Sequence, residues 1–260
     1  MTQKLNKIET DRIERERNFH NEIFSSMERS KLSGVYSIAE SSERRYQEDL
    51  QKYAAGADIL EYGCGPHSYA ALAAKIGANS VLGIDISDTA IEISQKSCER
   101  ILKDDPSKLA RVKFQRMNAE ALESADGSYN LVCGRAILHH LDFDKCFAEI
   151  HRVLRVGGKA IFVEPMGHNP FINWYRDRTP ELRTPDEHPF LEKDFVKAKA
   201  VFKTVDVQYF HLTSLALVPL AKFTNLSKLA VPFDFIDKGI FKLIPPLRKH
   251  AWSCVITMTK

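Results

Sequence analysis

The stretch Ile59-Leu60-Glu61-Tyr62-Gly63-Cys64-Gly65-Pro66-His67, followed by Gly83-Ile84-Asp85-Ile86-Ser87, decides how this chain folds. Each half contains a short apolar run of the kind that forms a strand covered on both faces. The first run breaks at two glycines, which let the main chain turn sharply and approach a ligand with no Cβ in the way. The second ends in Asp85, at the carboxyl end of the neighbouring strand, where a carboxylate can accept hydrogen bonds from both hydroxyls of a ribose. Glu61 closes the first strand and faces the same crevice. Adjoining strands, a glycine turn and a carboxylate together point to a nucleoside-containing cofactor.

Outward from this centre, strands and helices alternate between Ala57 and Pro165. The predicted strands are Asp58–Tyr62, Ser80–Asp85, 111–116, 129–133 and 159–164. Ser68 to Ile76 is an alanine-rich helix that Gly77 can end. Ser87 is a good N-cap for a helix through Leu102, and Asp142 for one over 143–155 that closes on Arg152, Arg155 and the Gly157-Gly158 pair. Five strands with intervening crossovers make an α/β fold with a doubly wound, mostly parallel sheet. Residues 202–210 and 252–259 read as two further strands, for seven in all. Residues 166–190, rich in Pro, Arg, His and Asn, read as a long ordered loop, and 213–249 as an apolar insertion broken by prolines.

We divide the chain into a helical N-terminal lid (1–55), a cofactor-binding core (56–166) and a C-terminal substrate cap of loop, strands and insertion (167–260). The lid carries a thin apolar stripe (Leu5, Ile8, Ile13, Phe19, Ile23, Phe24) among dense charges. A solvated extension would read the same way, but a crevice in an open sheet needs something to exclude water from its mouth.

Composition narrows the classes. With 260 residues, 44% of them apolar, the chain can build a full core. A net charge of +3 from 37 basic and 34 acidic residues gives no field for a polyanion, so no nucleic-acid partner is expected. The five cysteines are widely spaced with no CxxC pair, which reads as reduced thiols of a cytoplasmic protein. No secretory leader is expected in the charged first residues. The longest apolar run, Leu215 to Ala221, is far short of the ~20 residues a bilayer span requires.

These motifs resemble, in order along residues 57–165, the nucleotide-binding half of the class I S-adenosylmethionine-dependent methyltransferases. The resemblance implies S-adenosyl-L-methionine as cofactor and methyl transfer as the activity. It places Glu61, Gly63, Cys64, Gly65 and His67 at the methionine part of the cofactor, Asp85 at the ribose and Ile86 against the adenine. Asn118, Ala119 and Glu120 would line the adenine edge, and Arg135 opens the substrate-facing loop after the fourth strand. The chain departs from the family in having His67 where a third glycine is common, Asn118 for a usual aspartate, and Val156 where a proline is usual before strand five.

Two rivals are weighed against this reading. An NAD(P)-dependent oxidoreductase also follows glycines with an acid, but its G-x-G-x-x-G fingerprint would need glycine where Ser68 stands. A non-catalytic binder of the same cofactor would keep the motifs and turn nothing over.

Candidate catalytic groups are His139 and His140, just past strand four, and Glu164 at the end of strand five. An imidazole is suited to accept a proton near neutral pH, so oxygen is the favoured acceptor atom, with nitrogen and carbon open. Structural roles, such as capping a loop or pairing with Arg135 or a loop arginine, are the competing readings. His168, Trp174, Tyr175, Arg176, Arg183 and His188 are the candidate substrate contacts, because arginines fork onto anions and aromatic rings stack. His168, Asp186, Glu187 and His188 lack tight ligand spacing, and no metal is expected. The apolar insertion with its basic residues suits a small or medium-sized, apolar or lipid-like acceptor, or peripheral contact with an anionic membrane. A monomer or homodimer is expected.

Overall fold

The structure, a computed structural model, describes residues 2–25, 37–220 and 226–260. The side chains of Leu5 and Ile8, segment 26–36 of the lid and segment 221–225 of the insertion, with Phe223, lie outside the described residues. Helices α1 (Thr2–Ser25) and α2 (Glu40–Ala54) precede β1 (Asp58–Tyr62), α3 (Ala70–Ile76), β2 (Ser80–Asp85), α4 (Asp88–Ile101), the single turn α5 (Pro106–Leu109) and β3 (Val112–Arg116). Then come β4 (Tyr129–Arg135), α6 (Phe143–Val153), β5 (Leu154–Pro165), α7 (Pro170–Asp177), α8 (Glu192–Val201), β6 (Thr204–Phe210), α9 (Ser227–Leu243) and β7 (Ser253–Thr259).

The seven strands form one sheet in the order β3-β2-β1-β4-β5-β7-β6. The pairs among β1 to β5 are parallel, and β7 runs antiparallel to both β5 and β6. Strand order reverses between β1 and β4, and a crevice opens there at the carboxyl ends of the strands. Both sheet faces are covered. One apolar cluster joins Tyr62, Ile84, Val132 and Phe162 to Phe147, Ile150 and Phe190, and the other joins Ile59, Val81, Leu131 and Ile161 to Tyr46, Leu50 and Ala73.

Local chemistry fixes the turns that feed the crevice. Ser87 caps α4 by accepting from the Ala90 N–H, and Asp142 caps α6 by accepting from the Asp144 and Lys145 N–H groups. Gly77 ends α3 with φ +110°, a left-handed C-cap.

Three expectations need correction. Helix α6 stops at Val153, not 155, and Leu154 already pairs with Tyr129. The register shifts before Lys159, and Gly157 takes φ +77°, so the glycine pair makes a bulge in β5 instead of a helix stop. The stretch read as a loop contains α7, because Asn169 caps the Phe171 and Ile172 N–H groups and Pro170 occupies the first helical turn, where its missing N–H costs nothing. Within the insertion, Ser227–Leu243 is one helix despite Pro232 inside it.

Backbone proximity sets a sharp constraint at Gly134 of β4. A Cβ there would lie 2.4 Å from the Tyr62 carbonyl oxygen and 2.8 Å from the Phe162 ring. We expect Gly134→Ala to lower unfolding free energy by about 1–3 kcal/mol, the usual cost of overpacking, in a urea titration. An unchanged midpoint would show that β1 and β4 can separate without penalty.

Candidate active site

The glycine turn is held by two carboxylates. Gly63 and Gly65 take φ of +67° and +54°, where a side chain is strained. The Asp85 carboxylate accepts from the Gly65 N–H (2.9 Å) through one oxygen and from the Ser87 N–H (2.9 Å) through the other. Burial raises its pKa, and these two N–H donors oppose the rise. Glu61 is buried behind the turn, accepting from the Tyr69 N–H (2.6 Å) and from the Ser68 hydroxyl. The serine at the third position of the dinucleotide fingerprint is therefore a fixed part of this clasp. Arg135 lies over the Tyr69 ring at 4.4 Å and donates to Glu43 and to the His67 carbonyl, each at 2.8 Å. It braces α2 against the turn, while the His67 side chain is exposed.

A cavity of about 1300 Å³ runs from this turn across the carboxyl ends of the strands. Glu61, Gly63, Cys64, Gly65, His67, Asp85, Ile86, Asn118, Ala119, Glu120 and Arg135 all line it. The residues present fit an adenosyl cofactor. A Cβ added at Gly65 would meet no atom within 4 Å, so that backbone is open to a ligand. Each Asp85 oxygen accepts one backbone bond and keeps a second acceptor position for a hydroxyl. Asn118 accepts from the Glu120 N–H (2.9 Å) through its side-chain oxygen, shaping the turn after β3 and leaving its NH₂ free of that bond. Glu120 is spent on protein contacts: it accepts from Arg12 on α1 and from the Asp142 N–H (2.7 Å).

On the opposite wall, the chain leaves β4 through Ala136 in a left-handed conformation (φ +50°). That turn aims the Ile137 and Leu138 N–H groups at one oxygen of Glu164, at 3.0 and 2.8 Å. The other oxygen faces His139 Nδ1 at 2.7 Å. Glu164 thus pairs with neither Arg135 nor a loop arginine; it fixes the histidine loop. Burial pushes its pKa up to about 7 against the pull of the two N–H donors. Burial, then the neighbouring His140, holds His139 well below the ordinary imidazole value. The Nε2 of His139 lies 3.6 Å from Glu187, whose carboxylate is paired with Arg176 at 2.7 Å. The His140 ring leans on His139 with centroids 4.2 Å apart.

Helix α1 lies along this wall. Arg12, Ile13, Glu16, His20, Ile23 and Phe24 line the cavity, and Arg12 also donates to the His140 carbonyl at 3.1 Å. Asn21 accepts from the Ser87 hydroxyl at 2.7 Å, and Arg15 pairs with Asp186 of the cap at 2.7 Å. Glu16 faces His140 Nδ1 at 3.2 Å and His20 Nε2 at 3.4 Å.

Of the cap residues, Tyr175, Arg176 and Arg183 line the cavity, whereas His168, Trp174 and His188 do not. His168 accepts from the Glu192 N–H (3.4 Å), and its carbonyl faces His250 Nδ1. Trp174 is half exposed, stacked on Phe171 with Arg178 over its ring at 4.0 Å. His188 packs edge-on against Phe143. Arg183 donates to the Thr179 carbonyl (2.7 Å) and to that of Arg176, so it ties the loop together.

Residues 60–162 match the family described as a methyltransferase domain. Over these residues the chain is similar to methyltransferase domains. Over 109 residues it is 32% identical to a demethylmenaquinone methyltransferase of Chlorobaculum parvum, covering 42% of this chain and 41% of that one. Over 136 residues it is 31% identical to the methyltransferase GfsG of Streptomyces halstedii, covering 51% and 47%. The chain thus spans less than half the length of either relative. A Haemonchus contortus phosphoethanolamine N-methyltransferase 2, solved with phosphomonomethylethanolamine and S-adenosylhomocysteine, superposes with a TM-score of 0.62 at 19% identity, over 94% of this chain and 60% of that one. At that identity the likeness is one of fold.

The clasp yields a direct expectation. Asp85→Ala should weaken S-adenosylmethionine binding by about 10- to 100-fold, from the 1.5–3 kcal/mol of a hydrogen bond to a charged group. Calorimetry on the folded variant checks it, and undiminished affinity would remove Asp85 from the ribose site.

Proposed function

We propose that this protein transfers the methyl group of S-adenosylmethionine to an oxygen of a small or medium-sized apolar metabolite. The observation that carries the reading is the cavity. Its roughly 1300 Å³ exceeds the ~300–1,000 Å³ of an ordinary single-ligand pocket, so a second molecule has room beside the cofactor. Ile13, Phe24, Ile172, Val218 and Trp252 line the cavity and offer an apolar surface to an acceptor, and Tyr175 and Arg176 line it as well, for a polar group.

The bound cofactor supplies the activated methyl on its sulfonium. The chain's part is alignment and exclusion of water. Glu61 and Asp85 set the glycine turn that faces the cofactor. His139, with Nδ1 fixed by Glu164, offers Nε2 as the acceptor that orients a hydroxyl of the substrate, and α1 covers the site. Orientation of this kind can supply on the order of 7–11 kcal/mol.

Incubating the protein with methyl-labelled cofactor and a metabolite extract, then identifying the product by mass spectrometry, tests the reading. A labelled ether or ester of a small apolar molecule is expected, and label on nitrogen, carbon or a macromolecule would replace it. With that acceptor in hand, His139→Ala should lower kcat about 100-fold, the cost of a misplaced reactant, with little change in cofactor affinity. An unchanged kcat would leave His139 without a role in orientation.

Helix α9 supports a further part of this reading, contact with an anionic lipid surface. Leu229, Val231, Phe235, Ile236 and Leu243 are exposed along it, Phe235 at 80% and Leu243 at 81%. Lys228, Lys238 and Lys242 are exposed with them. Its two acids turn inward: Asp237 is buried, accepting from the Leu212 and Thr213 N–H groups, and Asp234 accepts from Ser41. The outward face is therefore apolar and cationic, the pattern of an interfacial helix. No helix among the described residues is long and apolar enough to cross a membrane. Wild-type protein should sediment with phosphatidylglycerol vesicles and less with phosphatidylcholine vesicles, and a Phe235→Glu, Leu243→Glu variant should stay in solution. Equal sedimentation of the variant would exclude this face.

A further inference from the structure

The geometry points to a binding site for one divalent transition-metal ion of the zinc class, formed by Glu16, His20 and His140 and joining α1 to the core; we propose that the ion fastens this helix over the cavity. The inference goes beyond the methyl-transfer reading and does not depend on which acceptor is used.

The residues come from two separate parts of the chain. Glu16 and His20 are four apart on α1, so they share one helix face. His140 arrives from the turn after β4. One donor atom from each lies within 4.8 Å of the others. His140 Nδ1 is 3.2 Å from Glu16 Oε2, and His20 Nε2 is 3.4 Å from the same oxygen. A tetrahedral ion with bonds of ~2.0–2.1 Å holds its ligands about 3.3–3.4 Å apart. Two edges of such a tetrahedron are already set.

Burial is the second observation. Glu16 and His140 are buried, and Glu16 Oε2, His140 Nδ1 and His20 Nδ1 have no hydrogen-bond partner among the described residues. A native fold rarely leaves buried polar atoms unsatisfied, and the two that face each other here, Glu16 Oε2 and His140 Nδ1, call for a ligand. A cation bound by Glu16 Oε2 and His140 Nδ1 satisfies both at once. Two imidazoles and a carboxylate are a donor set that suits zinc and its neighbours and leaves a fourth position open. All three residues also line the cavity.

The surrounding groups hold the ligands in place, as outer-shell partners of metal sites do. The other Glu16 oxygen accepts from the Thr184 hydroxyl, Arg12 pins the His140 carbonyl, and the His139 ring lies against His140. His139, His140 and Glu187 form a second cluster of similar size. There the Glu187 carboxylate is already engaged by Arg176 and His139 Nδ1 by Glu164, so the first cluster is the one with donors to spare.

The test uses the full chain, stripped with a chelator and dialysed, with Zn²⁺ alone and neither cofactor nor acceptor. Calorimetry should show one Zn²⁺ per chain. Co²⁺ in its place should give the visible absorption of a low-coordinate nitrogen–oxygen site. Glu16→Gln and His20→Ala should each weaken binding by about 100-fold or more, beyond the ten- to hundredfold that outer-shell changes alone cost. The variant His151→Ala, on α6 and not among the three ligands, should bind as wild type. Zn²⁺ should also slow proteolytic cleavage within α1 in wild type and not in His20→Ala, whose site lies on a helix outside the sheet, so the fold is retained. No stoichiometric Zn²⁺ binding by wild type, or undiminished binding by the Glu16→Gln, His20→Ala double variant, overturns the proposal.

Discussion

The bond between the Gly65 N–H and the Asp85 carboxylate is the constraint on which the site depends. It ties the turn after β1 to the end of its neighbour β2, beside the gap between β1 and β4 where strand order reverses. Two residues in left-handed conformations would otherwise wander, because glycine loses more freedom on folding than any other residue. Glu61 adds a second fastening from below through Ser68 and the Tyr69 N–H, and Arg135 a third from the side. Three charged groups thus hold a few residues of backbone in a shape that exposes main chain to the cavity. None of the three needs a ligand to be in place.

The other wall follows the same logic with an acid at the end of a different strand. Glu164 bonds two backbone N–H groups and an imidazole, so the histidine loop is set by the sheet and not by solvent. Helix α1 completes the enclosure by pairing with the core through Arg12–Glu120 and Arg17–Asp88, and with the cap through Arg15–Asp186. The latter two are exposed to solvent and worth little individually. Arg12–Glu120, with the acid buried, carries more of the attachment.

Much of this was legible in the sequence. Apolar runs bounded by glycine or acid located all seven strands to within a few residues, except the start of β5, because buried strands have a strong pattern. Ser87 and Asp142 marked two helix starts by side-chain chemistry alone. The helix at Pro170 went unread although Asn169-Pro170 is a cap followed by a first-turn proline, since the density of Pro and Arg suggested a loop. Glu16 and His20 were invisible as site residues. Their four-residue spacing was present, but only the docking of α1 brings them to His140, and long-range packing has no local signature. The place of Glu187 beside His139 and Arg176 likewise depends on how the cap folds back.

The position of β7 has an effect on how the molecule comes into being. Strand β6 touches the sheet only through β7, which lies between it and β5 although it comes last of the seven in the chain. During synthesis β6 and α8 therefore emerge before the strand that can receive them, and β5 presents a bare edge until Ser253–Thr259 leaves the ribosome. Such unpaired edges invite association with other chains. The nascent polypeptide must pass through that interval with α9 and its apolar outward face already made.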